Sequence, residues 1–515
     1  MSTLDIAIVV ATLLGSVVVG LFFSGRQKST AAYFLGGGKM PGWLVGVSLS
    51  AAYVSANTFL AAPGYSFQND LRWVLPNFAF VVTGVFTLVW VIPFFRRATT
   101  DSGYAFLEKR FGAWARTYAA AGFLMFNMLR LGVVLYVTCL ALEVFFGVPI
   151  VWLMLALGLA ATLYTMAGGF EAVVWTEFFQ AIILVAGAFL LLILALQQIP
   201  GGLQTVWVHG SPAGKFSLGS TSLTLTERTL WAALIAAAFT NASDYTTRQD
   251  FIQRYRAAKT TAQARIAVAI TFLLVVPLWL NFNFLGTILW AFYDINPDPV
   301  VAKFALSAPE KIVPYFMSTQ LSAGLKGVLL AAILTASLST LAPILNACSV
   351  TLVTDFHRRF WRRTADEKHY LAAGRACTLV FGAIMVVLAA LVHLTRSQAI
   401  QDLHFLFQTI FSAGLFALFM LGFFSRKIRV RAALAATAVT LSTVLLWVVC
   451  DTAAAQSALP FLEGRVPDLF WVPVFSNLLL PALALLFNRF TKDPPPAGTS
   501  PPDRDNNHEP PAQVH

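Results

Sequence analysis

VSLSAAYVSANTFLAAPG, from Val47 to Gly64, decides how the chain is read. The stretch is apolar enough to enter a bilayer, yet it carries Ser48, Ser50, Tyr53, Ser55, Asn57 and Thr58 and ends in Pro63-Gly64. A lipid-facing helix offers no partners to so many small polar groups, and a buried polar group without a partner is costly. Two readings are open. Small residues let two helices pack closely inside a membrane. Alternatively, the helix unwinds near its middle, and its freed carbonyls and hydroxyls hold an ion and a solute.

The surroundings set the environment. The chain has 515 residues, 58% of them hydrophobic and only 11% charged, and its mean hydropathy is +0.72. Soluble domains are about 25% charged, so the composition describes an all-α polytopic membrane protein. Apolar runs of span length fall near 5–24, 42–62, 73–95, 117–140, 148–167, 172–197, 229–247, 266–292, 325–354, 372–394, 403–424, 431–450 and 469–488, about thirteen in all. No A-x-A-like cleavage site follows Ile6 to Phe23, so this segment reads as a retained first span. Cys139, Cys348, Cys377 and Cys450 lie in apolar stretches without a C-x-x-C pair, which suggests neither a disulfide framework nor a metal cluster.

The net charge of +11 would suggest nucleic acid in a soluble protein, but here its placement matters more. With the N-terminus outside, the inside segments hold 26 Lys and Arg and the outside segments 7. That asymmetry fits an odd number of spans with the C-terminus cytoplasmic, and makes the basicity a topological signal. Two outer loops are long, Pro200 to Glu227 and Asp294 to Gly324, and the second is mixed enough to hold short helices. The transmembrane domain is expected over 1–490. The Pro-rich tail 491–515 cannot bury a core and reads as disordered. The lack of eukaryotic targeting features and of glycosylation sequons in the outer loops points to a bacterial inner membrane.

Several spans carry groups too polar for lipid, which marks them as functional candidates. Arg130 is either paired and structural or faces an anionic group. Glu177 is either an acid in the first turn of its helix, favoured by the dipole, or a coupling residue. Asn241 and Asp244 lie one helical turn apart. Asp244 and Arg248, at i and i+4, make either a salt bridge or part of a second helix break. Ser339 and Thr340 sit in an Ala-rich span with Pro343 just beyond. Such hydroxyls either back-bond to carbonyls or supply oxygens to a hard cation.

YFLGGGKMPGWLVGVSLSAAYVSANTFLAAPG (33–64), LYTMAGGFEAVVWTEFFQ (163–180), DFIQRYRAAKT (250–260) and AAILTASLSTLAPILNACSVTLVTDF (331–356) resemble the sodium:solute symporter family, and the likeness extends over about residues 5–450. The resemblance implies a five-plus-five inverted-repeat fold of the leucine-transporter type. One leading helix and two trailing ones would flank core halves of about 42–197 and 229–450, with broken helices at 42–62 and 229–247. It implies sodium-coupled import of a small organic solute by alternating access. The sodium ligands carried over by position are the carbonyls of Ala51, Val54 and Ala336 and the hydroxyls of Ser339 and Thr340. Asn57, Thr58, Asn77, Asn241 and Asp244 resemble solute-contacting positions, with Gln408 opposite them.

The chain also departs from the family. Where some members bind a second sodium through hydroxyls and an Asp, it has Ala342, Pro343 and Glu177, so one sodium per solute is expected. Thr58 replaces a larger amide of the sugar carriers, and the eighth span has no Lys. A small carboxylate or related polar metabolite fits better than a hexose, although Asp244 would also suit an amine. Proton coupling through Glu177 or Asp244 is the alternative within this fold. A channel is disfavoured by the lack of a repeated filter loop or acidic ring. An enzyme is disfavoured because the seven His are scattered and H-E-x-x-H is missing. Beyond Na+, the solute and the lipid bilayer, no organic cofactor, nucleic acid or obligate protein partner is indicated.

Overall fold

The structure is a computed structural model describing residues 1–24, 36–97, 102–227, 229–395, 400–425, 427–462 and 465–491. The expected tail from residue 492 onward lies outside the described residues, as do Arg26, Lys28, Arg228, Arg396, Arg426, Lys492, Arg504 and the Tyr33–Leu35 start of the first family motif.

The described residues form helices and no strands. In chain order the main ones are α1 (Thr3–Ser24), α2 (Gly42–Tyr53), α3 (Ala56–Gln68), α4 (Leu75–Arg97), α5 (Ala113–Phe146), α6 (Ile150–Gln197), α7 (Leu230–Thr247) and α8 (Gln249–Ala257). They continue with α9 (Thr261–Ile295), α10 (Leu325–Trp361), α11 (Glu367–Thr395), α12 (Ile400–Phe411), α13 (Leu415–Phe424), α14 (Val430–Cys450) and α15 (Val472–Phe490). Among the described residues, nine helices are long and apolar enough to cross a membrane, or ten with α2 and α3 as one bent span. Thr3–Val19 and Ile150–Met166 are shorter apolar helices, and α7 falls below the same standard. The expected count of thirteen is therefore not reached on length and hydropathy alone. The long outer loops do carry short helices, at Leu203–Gly210, Pro299–Ser307 and Ile312–Gln320.

The stretch quoted first is a broken helix. α2 ends at Tyr53, Val54 and Ser55 are extended, and α3 leaves at 50° to α2. The last helical bond before the break runs from Val54 N–H to the Ser50 carbonyl at 3.2 Å, and the next runs from Phe59 N–H to the Ser55 carbonyl at 3.0 Å. Ser55 caps the new helix by accepting the Thr58 N–H, as N-cap serines do. The second expected break is placed differently. α7 is continuous through 229–247, and the interruption falls at Arg248, whose extended backbone (φ −75°, ψ 123°) separates α7 from α8.

Two seams hold the broken span to α9. A Cβ on Gly46 would lie 2.7 Å from the Ala267 carbonyl, and one on Gly286 would lie 2.2 Å from the Pro63 carbonyl. Only glycine permits these approaches, a common device where membrane helices pack. Pro277, which cannot donate a helical bond, lies midway between the seams along α9, opposite the Val54–Ser55 break. The Tyr53 and Trp279 rings meet at that level, 5.7 Å apart.

α10 is the central post. In its most apolar stretch 94% of the residues are buried, against 28% in peripheral α14, and it packs against α6, α5, α1, α11 and α2. Its start is capped from α1, where the buried Asp5 carboxylate accepts the N–H groups of Gly324 (2.7 Å) and Gly327 (2.9 Å). At the same end of the bundle, Lys215 reaches from its loop to the carbonyls of Phe67 (2.7 Å) and Asn69 (2.9 Å), fastening the end of α3.

Candidate functional site

The break brings Ala51, one of the expected sodium ligands, against those of α10. The Ala51 and Val54 carbonyls fall in the interval where the helical ladder is interrupted. The Ser339 hydroxyl of α10 donates to the Ala51 carbonyl at 3.1 Å and lies 3.2 Å from the Ala336 carbonyl, to which the Thr340 hydroxyl also donates at 3.2 Å. Ala51, Val54, Ala336, Ser339 and Thr340 are all buried, at 0–1% exposure. The donor set is therefore uncharged oxygen from two elements that touch only because α2 stops here. That set suits a monovalent hard cation, by the oxygen preference of hard cations in general. These residues would hold a sodium ion by rotating the two hydroxyl protons away from it.

Part of the expected solute set also converges. The Tyr53 hydroxyl, at the break, donates to Asn241 Oδ1 at 3.4 Å. One turn further along α7, Asp244 receives Gln408 Nε2 of α12 at 3.4 Å and Arg248 Nη1 at 3.3 Å. Thus Asn241, Asp244 and Gln408 share one region with Tyr53. Asn57 and Thr58 lie in the first turn of α3, just past the break, and Asn77 lies in the first turn of α4, which packs on α7. The structure places these three on the surrounding elements. The expected Asp244–Arg248 pair exists, but the stronger partner of Arg248 is Asp250, at 2.6 Å across the interruption.

Glu177 does not lie in the first turn of its helix. After the kink at Gly169 (φ 61°) it lies eight residues into the second segment of α6, beyond the first turn. There it is buried and paired with Arg254 of α8, whose Nη2 lies 2.7 Å from Oε1 and 3.0 Å from Oε2. Ser48 of α2 donates to the same carboxylate and accepts Arg254 Nε at 3.1 Å. Arg254, fully buried, is a residue that sequence reasoning missed, as is Asp250. Breaking such a pair by removing one member costs about 3–5 kcal/mol, so Glu177 is a clamp between α2, α6 and α8.

Arg130 also departs from the expectation of a structural pair. It is 8% exposed on α5, and its side chain forms no hydrogen bond or ion pair among the described residues. Arg248, Asp250, Asp244 and Tyr53 are the charged and titratable groups that act on it at longer range.

Helices around a broken span, with oxygen donors gathered at the break, define a secondary transporter of the leucine-transporter fold. Comparison with known proteins narrows this. Residues 33–440 match the sodium:solute symporter family, and the chain belongs to that family. Sodium is accordingly its coupling ion and a small organic solute its cargo. The sodium/sialic acid symporter of Aliivibrio fischeri is 29% identical over 87% of this chain and 88% of its own. The human sodium-coupled monocarboxylate transporter 1 is 28% identical over 76% of this chain and 64% of its own. A substrate-bound, outward-open Na+-coupled sialic acid symporter superposes with a TM-score of 0.85 at 26% identity, covering 95% of this chain and 98% of that one. The nucleobase-cation symporter Mhp1, at 14% identity and a TM-score of 0.54, shares the fold.

Proposed function

We propose that this symporter imports a small carboxylate bearing a hydroxyl or amide donor, with one sodium ion per solute, by alternating access. The observation that carries the carboxylate is Arg130. A guanidinium buried within a membrane protein is costly unless it is paired, and this one has no ion pair among the described residues. A solute carboxylate completes it in bidentate fashion. Asp244, with a side chain 16% exposed, accepts the donor of the same solute. Asn57, Thr58, Asn77, Asn241 and Gln408 surround it. The cargoes named for the relatives, sialic acid and monocarboxylates, carry carboxylates and support the reading.

The ion sits on Ala51, Val54, Ala336, Ser339 and Thr340. A single sodium is supported by the lack of hydroxyls at Ala342 and Pro343 and by the engagement of Glu177 with Arg254. The N-terminus lies outside and the basic loops inside, in a bacterial inner membrane.

The test is thermal unfolding of the purified full-length protein against a panel of small carboxylates and their amides, in sodium and again in potassium. Binding raises stability by RT ln(1 + [L]/Kd). A carboxylate that stabilises in sodium alone, while its amide does not, is the expected result. A hexose or amine that stabilises instead removes the carboxylate. Equal stabilisation in both salts removes the sodium site.

A further inference from the structure

The end of α10 farthest from Asp5 carries a patch that neither the ion nor the solute uses. The apolar run of α10 closes at Val353, and Trp361 lies eight residues further on, past Asp355, Arg358 and Arg359. α10 has 37 residues, about 55 Å of helix, whereas a bilayer with its headgroups is about 40–45 Å thick. Its last turns therefore project beyond the membrane. There Phe360 is 52% and Trp361 67% exposed, beside exposed Arg362 and Arg363. Neighbouring large aromatics held out in water mark an interaction site. The knuckle from His357 to Tyr370 is braced from within. His357 Nε2 lies 2.9 Å from His369 Nε2, and the Tyr370 hydroxyl donates to the Arg362 carbonyl at 2.7 Å and accepts the Ala365 N–H at 3.3 Å. Arg359 is taken by Glu108, whereas Arg362 and Arg363 form no ion pair among the described residues.

Residues 358–368 hold five basic and two acidic side chains. The acids are Asp366, which caps α11 by accepting the His369 N–H at 3.0 Å, and Glu367. Residues 493–509 hold four acids, Asp493, Asp503, Asp505 and Glu509, and one Arg. Prolines bracket the last three acids, at 501–502 and 510–511. A relay of contacts fixes where that segment departs. Arg429 donates to Asn488 Oδ1 at 2.9 Å near the end of α15, and Arg110 donates to the Ile428 carbonyl at 2.9 Å. Glu108, on the same short helix as Arg110, accepts from Arg359. The end of α15 and Trp361 thus stand at one end of the bundle, with only these side chains between them. From Thr491 to Asp503 is 12 residues, a reach of about 40 Å at most.

We propose that Pro501–Pro511 of this chain docks on the knuckle, with its acids on Arg362 and Arg363 and its prolines against Phe360 and Trp361. The charges are complementary, and prolines pack on exposed aromatic rings with little loss of chain entropy. Tethering gives the segment an effective concentration in the millimolar range, so contacts that are individually weak close it. The docked segment holds the far end of the helix that carries Ser339 and Thr340.

The test replaces Asn506 by p-benzoylphenylalanine in the full-length protein, in phosphatidylcholine vesicles, and maps the photocrosslinks by mass spectrometry. Crosslinks should concentrate on the peptide containing Phe360 and Trp361. Arg362→Gln with Arg363→Gln should lower their yield about fivefold, the worth of two exposed ion pairs, and salt at about 1 M should do the same to the unaltered arginines. Trp361→Ala should lower the yield and leave its salt dependence in place. All three side chains are exposed, so folding is not at stake in these variants. Crosslinks spread evenly over this end of the bundle, or a yield unchanged by the variants and by salt, overturn the docking. Crosslinks that join isotopically labelled to unlabelled chains give the patch to a second copy and overturn the tail of the same chain as its occupant. Loss of the crosslink when phosphatidylglycerol replaces part of the phosphatidylcholine gives the patch to a lipid headgroup and overturns it likewise.

Discussion

The Ser339 hydroxyl lies 3.1 Å from the Ala51 carbonyl, joining the central post to the broken span across 288 residues of sequence. That contact exists only because the helical ladder ends at Ser50. If it marks the ion site, Ser339→Ala with Thr340→Ala removes two of five ligand oxygens. The sodium concentration for half-maximal uptake should rise at least about tenfold, taking each hydrogen-bonding group as worth about 1 kcal/mol. Uptake with unaltered sodium dependence would place the ion elsewhere.

Arg130 should separate stability from activity. Arg130→Met removes a buried cation that no direct ion pair holds, so thermal stability in the absence of solute should hold or rise. Uptake of the solute should fall about a hundredfold or more, the loss of a charge-assisted bidentate contact. A variant that unfolds more easily yet still transports would return Arg130 to a structural role.

Glu177 and Arg254 should behave as a unit. Either Glu177→Gln or Arg254→Met alone strands a buried charge and should cost about 3–5 kcal/mol, read as a lower unfolding temperature. The double variant should recover part of that loss. Sodium stoichiometry in Glu177→Gln should stay at one per solute, and a fall in coupled sodium flux would reveal a second ion at this carboxylate.

Lys215 gives a pH signature. Burial lowers its pKa from the ordinary 10.5 to about 8, against the pull of the Asp70 charge. The unfolded chain keeps the ordinary value, so between about pH 8 and 10.5 it binds more protons than the folded protein does. Stability contributed by this group should therefore rise with pH across that window. Subtracting the unfolding profile of Lys215→Met should isolate the rise; parallel profiles would show that the amine is fully solvated.

Gly286→Ala should be severe for its size. The added carbon meets the Pro63 carbonyl at 2.2 Å, and backbone cannot step aside as a side chain would. A loss of about 1–3 kcal/mol, as for other overpacked sites, is expected, whereas Gly15→Ala, whose Cβ meets nothing within 4 Å, should be neutral.

What could be read in advance followed from locality. The break at Val54–Ser55 announced itself because six polar side chains and a Pro-Gly pair crowd one apolar run. The hydroxyls of α10 stood out for the same reason. Asn241 and Asp244 share a face by spacing alone. Partnerships across the bundle left no such trace: Glu177 and Arg254 are 77 residues apart, and nothing near either names the other. Asp250 was nearer to hand, since Arg248 has acids on both sides, but the i,i+4 rule favours Asp244 and the helix ends between them. The seam at Gly46 had a legible sign in the Gly42-x-x-x-Gly46 spacing. For Arg130, burial was legible and the lack of an ion pair was not, because that depends on every other helix.

The alignment of Pro277 with the Val54–Ser55 break makes α2–α3 and α9 a two-leaf hinge with a common pin. Each leaf is riveted by its own glycine contact, Gly46 on Ala267 in one and Gly286 on Pro63 in the other. Had the weak points stood at different heights, bending one helix would have forced the other to slide, tearing a rivet. With both at one height, the leaves can fold while the rivets stay fast, and the only surfaces that must part are those at the pin. Ala51, Val54 and Tyr53 stand there, so an ion or solute seated among them sits where small movements open the widest gap at either end.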